Sequence, residues 1–135
     1  MKFYRVVMLL LAIAFGAVGA LVLFVPGDIL TLFNTLSSRF GLPPGPVEPT
    51  GFFVILAVAY MYTVTALAAM VYLHPRHQIL PMILVHAKGM SSLLSLGFFL
   101  FSAPLLVYAV NFVVDGAIAL VVWLLKRRNT GRRAR

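Results

Sequence analysis

Two full-strength charges, Lys88 and Asp115, stand deep inside apolar sequence. Residues 81–101 form one apolar run and residues 104–125 the next, joined only by Ser102 and Ala103. Helices linked so tightly lie antiparallel and side by side. Lys88 is ten residues along from Gln78, and Asp115 is ten residues back from Leu125. At a rise of about 1.5 Å per residue, both fall roughly 15 Å from one membrane face, near the middle of a ~30 Å apolar core. A lone charge at that depth costs about 3 kcal/mol or more, so it turns inward and takes a partner. The spacing therefore predicts a Lys88–Asp115 ion pair in the interior of a helix bundle.

Polar neighbours fall on the same faces. Ser91, Ser92 and Ser95 follow Lys88 at offsets of three, four and seven, and Tyr108 and Asn111 precede Asp115 by seven and four. Each set is one stripe of a helix, and two facing polar stripes make a hydrogen-bonded seam of the kind that joins membrane helices. Tyr60 and Thr63, in the middle of another apolar run, reach the same depth and are expected to complete the polar centre. A threonine in a helix also bonds back to its own backbone, which is the alternative for Thr63. The chemistry open to such a centre is of two kinds. It is a clamp that fixes helix pairing, or it is a proton relay or a polar pocket for a ligand, built from Lys88, Asp115, Asn111, Ser92, Tyr60 and Thr63.

Other chemistries are poorly supplied. The chain has no cysteine, which excludes disulfides, iron–sulfur clusters and dithiol redox reactions. His74 and His77 flank Pro75 in a short loop, and His86 lies two residues from Lys88 on a nearly opposite helix face. None has a histidine at matching depth on another segment, so neither a haem nor a metal site is expected. No phosphate loop, paired carboxylates or nucleophile–base spacing is present.

The elements that must position these residues follow from composition. The 135 residues are 62% hydrophobic and only 10% charged, which leaves no room for a soluble domain. Four stretches, at about 4–25, 52–73, 79–101 and 104–125, match the ~20 apolar residues needed to span a bilayer. The expected fold is all-α: a polytopic membrane protein with a single four-helix transmembrane domain over residues 1–125. The first stretch is longer than the apolar part of a signal peptide and lacks a clear cleavage site, so it reads as a retained anchor. Its Ala12, Gly16 and Ala20 recur every four residues, a ridge for close helix packing. Pro26-Gly27 is expected to break the chain and Asp28 to cap a short amphipathic helix over 28–40, with Ile29, Leu32, Phe33, Leu36 and Phe40 on its apolar face. A proline-rich connector over residues 43–49 then leads back to the second span.

Charge placement sets orientation. Lys2 and Arg5 precede the first span, Arg76 sits in the 74–78 loop, and six basic residues occupy the tail at 126–135, against Arg39 alone on the other side. By the positive-inside rule both termini and that loop face the cytoplasm. Lys126, Arg127 and Arg128 stand where a tail meets lipid headgroups, each worth about 1 kcal/mol against an anionic surface, so lipids rather than nucleic acid are the expected partners.

The span ending in Val25-Pro26-Gly27 and running into Ile29-Leu30-Thr31-Leu32-Phe33-Asn34, the stretch Lys88-Gly89-Met90-Ser91-Ser92-Leu93 and the Asp115-Gly116 step resemble the DoxX-like group of small four-helix bacterial membrane proteins. The likeness covers most of the chain in layout and only short segments in residues. It implies a bacterial-type plasma (inner) membrane and a link to quinones or to a larger redox assembly, and it carries no catalytic residue over. Three functions are consistent with the residues. The first is a non-catalytic accessory or scaffolding subunit, packed against other membrane subunits or copies of itself. The second is a binder of a quinone or another lipophilic molecule, a lipid included. The third is an oligomeric proton-coupled transporter in which Asp115 titrates.

Overall fold

A computed structural model describes residues 2–47 and 51–131. They form five helices in the order α1 Lys2–Phe24, α2 Pro26–Arg39, α3 Gly51–Leu73, α4 Ile79–Phe101 and α5 Leu106–Gly131. Four of them, α1, α3, α4 and α5, are long and apolar enough to cross a membrane. With its backbone groups bonded inside each helix, such a chain meets the first requirement of the bilayer. It is a multi-pass helical membrane protein.

The bundle is built from two pairs. Helix α1 packs along α3 and α4 along α5, and the pairs meet mainly between α3 and α4. Tyr4, Met8, Ala12 and Phe15 supply α1's part of the core, against Val64, Leu67, Ala68 and Val71 of α3, Leu84 of α4 and Val122 of α5. Helix α1 starts beside the end of α3, where the Arg5 guanidinium lies 4.8 Å from the centre of the Tyr72 ring. That contact places an aromatic and a cation together at one end of the bundle, as a membrane interface favours.

The small-residue ridge of α1 differs from the expected one. Ala12 is buried, but Gly16 and Ala20 are exposed, and the close approach is made by Gly19. A Cβ on Gly19 would stand 3.1 Å from Met61 Cβ, whereas one on Gly16 would meet only the Thr65 methyl at 3.7 Å. The reason is angular: each step of four residues drifts about 40° around a helix, while a step of seven drifts only about 20°. Ala20 has therefore rotated away from the seam that Ala12 begins, and Gly19 remains in it.

The two proline junctions also differ in detail. Only Val25 separates α1 from α2, and Pro26 opens the new helix rather than ending the old one. Proline suits a first helical position because the N–H it lacks would have no partner there. Asp28 thus lies inside the first turn, complementing the helix dipole instead of capping it. At the other junction Pro104 stays outside α5, which starts at Leu106; the turn is closed by Ala103 N–H to Phe98 O at 3.1 Å. Helix α5 then continues past residue 125 to Gly131, carrying Lys126, Arg127 and Arg128 on regular helix. Lysine and arginine are good helix formers and favour a helix C-terminus. Residues 48–49 of the proline-rich connector and Arg132, Arg133 and Arg135 of the tail lie outside the described residues.

Helix α2 touches α1 and α5. Ile29, Leu30, Phe33 and Leu36 are half-buried and Ser37 is buried, but Leu32 and Phe40, expected on the packed face, are exposed. The hydroxyls of Thr31, Thr35 and Ser38 donate to Gly27 O, Thr31 O and Thr35 O, so the outward face satisfies its own polar groups. Below it, Asn34 holds the connector with two bonds: its Nδ2 donates to Gly45 O and its Oδ1 accepts from Gly45 N–H, both at 2.8 Å. Leu105 packs at 3.4 Å from where a Gly45 Cβ would lie. Asn34→Ala should cost about 1 kcal/mol locally and speed amide hydrogen exchange at Gly45 roughly 5- to 10-fold. Unchanged exchange at Gly45 would show that Leu105 alone holds the connector.

Candidate functional site

Lys88 is fully buried and Asp115 is 3% exposed. Lys88 Nζ donates to Asp115 Oδ1 at 2.8 Å, which joins α4 to α5 at mid-bundle. Taking both ions out of water costs several kcal/mol each, and a close, well-surrounded pair is what offsets it. An ammonium has three N–H groups, and the carboxylate takes one. Two ring faces also meet it: Nζ lies 4.2 Å from the centre of Phe15 and 5.0 Å from the centre of Tyr60. Phe15 belongs to α1 and Tyr60 to α3, so this one cation meets a side chain from each of the other three spans.

The remaining polar groups extend the α4–α5 contact. Ser92 Oγ donates to Phe112 O at 2.8 Å. Asn111 Nδ2 donates to Ser91 Oγ at 3.1 Å and to Ser95 Oγ at 2.6 Å. Tyr60 OH donates to Ala87 O at 3.2 Å, a second link between the two helix pairs. The Tyr108 ring tilts against Phe98, with centroids 5.7 Å apart. Gly116 makes the seam possible, because a Cβ there would lie 2.9 Å from Ser92 Oγ.

Thr63 stands apart from this group. It is exposed, and its Oγ1 donates to Ala59 O at 2.9 Å on its own helix. A threonine so satisfied needs no partner across the bundle, and of the two readings open for Thr63 the bond to its own helix is the one present. Asp115 Oδ2 is the opposite case. It is buried and has no hydrogen-bond partner among the described residues.

Elsewhere, His86 is exposed and its Nδ1 lies 2.8 Å from Met82 O, while His77 Nδ1 accepts from Leu80 N–H at 3.3 Å. Among the described residues no three histidine, aspartate or glutamate side chains converge. At the end of α5, Lys126 is half-buried and Arg127 and Arg128 are exposed. The Arg127 guanidinium sits 5.3 Å from the centre of the Trp123 ring one turn earlier.

Two members of the centre have no signature in the polar pattern. Phe15 is one residue in a helix that is apolar on every side, and Gly116 is silent until its neighbour across the seam is known. A depth count would have brought Phe15 within roughly one helical turn of Lys88, but not shown which way it faces. Compared with protein-family models, with curated proteins and with solved structures, the chain finds no match.

Proposed function

We propose that this chain is a non-catalytic integral membrane protein, an accessory or scaffolding subunit that works by association within the bilayer. Its setting is a bacterial-type plasma membrane with both termini in the cytoplasm, the orientation that the basic residues favour. The observation that carries the reading is the commitment of Lys88 and Asp115 to each other inside the bundle. An ion pair held between all four spans specifies one arrangement of helices, as a single buried polar contact fixes register in a coiled coil. The outer surfaces, by contrast, are long and apolar: Leu10, Ile13 and Leu21 of α1, Ile55 of α3, Leu93 of α4 and Val113 of α5 are all exposed. Such surfaces meet lipid or another membrane helix. The resemblance to DoxX-like proteins adds a quinone-linked redox assembly as the kind of complex to look for.

Native mass spectrometry of protein extracted gently from its own membrane tests this. The expected result is the 14.8 kDa chain together with other polypeptides or with copies of itself. A monomer carrying a stoichiometric small molecule would overturn the reading in favour of a binding protein.

A further inference from the structure

We infer that Phe15, Tyr60 and Asp115 form a recognition site for an organic ammonium, that Lys88 is its tethered resident, and that a primary alkylammonium is the class of molecule that replaces this resident once the tether is removed. This goes beyond the association reading and does not depend on it: a chain with no partner subunit would hold the same site.

The argument starts from how the parts are divided. The site walls come from α1, α3 and α5, and α4 supplies only the occupant. Two ring faces at 4.2 and 5.0 Å and a carboxylate oxygen at 2.8 Å surround one nitrogen. Ring faces attract a cation through their quadrupole, most strongly where water is excluded, and aromatic walls beside an anion are how proteins hold ammonium ligands. Water is largely kept out here, since Lys88 and Asp115 are both buried.

The second observation is the unpartnered Asp115 Oδ2. A carboxylate accepts on both oxygens, and Lys88 engages only Oδ1. The site thus has more capacity for an N–H donor than the tethered amine uses. A free alkylammonium, with no helix fixing its stem, is able to place a second N–H on Oδ2.

In the intact chain the tether keeps the resident at a high effective concentration, so free amines compete poorly. Lys88→Ala removes that resident and leaves a space that matches n-propylammonium, the fragment lost from the side chain. The probe is n-propylammonium, with 1-propanol as its neutral counterpart of similar size, added to the purified Lys88→Ala protein during thermal unfolding. The amine is expected to raise the midpoint by about 3 °C or more, and 1-propanol to leave it unmoved. Asp115→Asn added to Lys88→Ala should abolish the shift. Equal stabilisation by the alcohol would mean that the site recognises volume alone, and no shift from the amine would mean that it does not recognise ammonium; either result overturns the inference.

Should Lys88→Ala fail to fold, the rings give a second test. Phe15→Leu is measured in the wild-type chain and in the Lys88→Met, Asp115→Asn double variant, which removes both charges together. The site requires that the midpoint loss caused by Phe15→Leu shrink by at least half once the cation is gone. An undiminished loss would show Phe15 to be packing only, and the inference would fall.

Discussion

Lys88→Met alone should cost about 3–5 kcal/mol of bundle stability, the loss expected when one member of a buried pair is left without the other. The stem of methionine fills much of the space, so the deficit is electrostatic rather than a cavity. Asp115 would stand 3% exposed among apolar helices with Oδ1 now as unpartnered as Oδ2. Asp115→Asn leaves the Lys88 ammonium without its counter-charge, but it should be milder, because the amide oxygen still accepts from Lys88 and two ring faces still meet the cation. The informative comparison is the double variant Lys88→Met, Asp115→Asn, which should recover most of what the lysine change alone loses. Thermal unfolding of the purified proteins reads all three. A double variant no better than Lys88→Met would mean that the pair's value lies in the ring contacts of Phe15 and Tyr60, not in the ion pair.

Exchanging the charges sharpens the same point. In Lys88→Asp with Asp115→Lys the ammonium sits on a different helix, away from the ring faces that hold it in the native chain. Stability should return only in part, by the share that the ion pair contributes without the rings. A clamp needs no more than that to restore folding.

What the sequence made legible here, and what it hid, divides along one physical line. Depth in a membrane is a one-dimensional quantity, and residue counting from a helix end measures it well. Lys88 and Asp115 could be brought to one level by counting alone, and so could the serines and Asn111 that follow their stripes. Rotation about the helix axis is the harder coordinate. It is read from the contrast between polar and apolar faces, and α1 offers no such contrast because it is apolar all round. Phe15 therefore carries no sequence signal as a neighbour of Lys88, and the four-residue ridge of Ala12, Gly16 and Ala20 drifts away from the seam that Gly19 keeps.

Thr63 shows the same limit from the other side. Its depth matched and its type was polar, yet it points outward and bonds to Ala59 O. A hydroxyl carried on Cβ, two bonds from the backbone, has a carbonyl of its own helix in reach, so polarity says little about which way it faces. Lysine and aspartate have no comparable escape. Their charge forces them inward, which is why they were the firmest anchors in the sequence.

Gly116→Ala is the second change expected to weaken the bundle markedly, by about 2 kcal/mol net. Alanine in a helix interior normally gains about 1 kcal/mol over glycine, so the sign is itself diagnostic. The added Cβ would lie 2.9 Å from Ser92 Oγ, and that hydroxyl is fixed by its bond to Phe112 O. Either Ser92 rotates and leaves a buried hydroxyl without its acceptor, or α4 and α5 move apart. Both outcomes disturb the level at which Lys88 meets Asp115. Ser92→Ala removes the oxygen and leaves its Cβ 3.8 Å from the new methyl, an ordinary contact. The double variant Gly116→Ala, Ser92→Ala should therefore be more stable than Gly116→Ala alone, reversing the usual direction of a serine bond lost. If thermal unfolding shows the two losses simply adding, the seam has room that the close approach of Ser92 to Gly116 denies. The glycine would then be needed for some reason other than this contact.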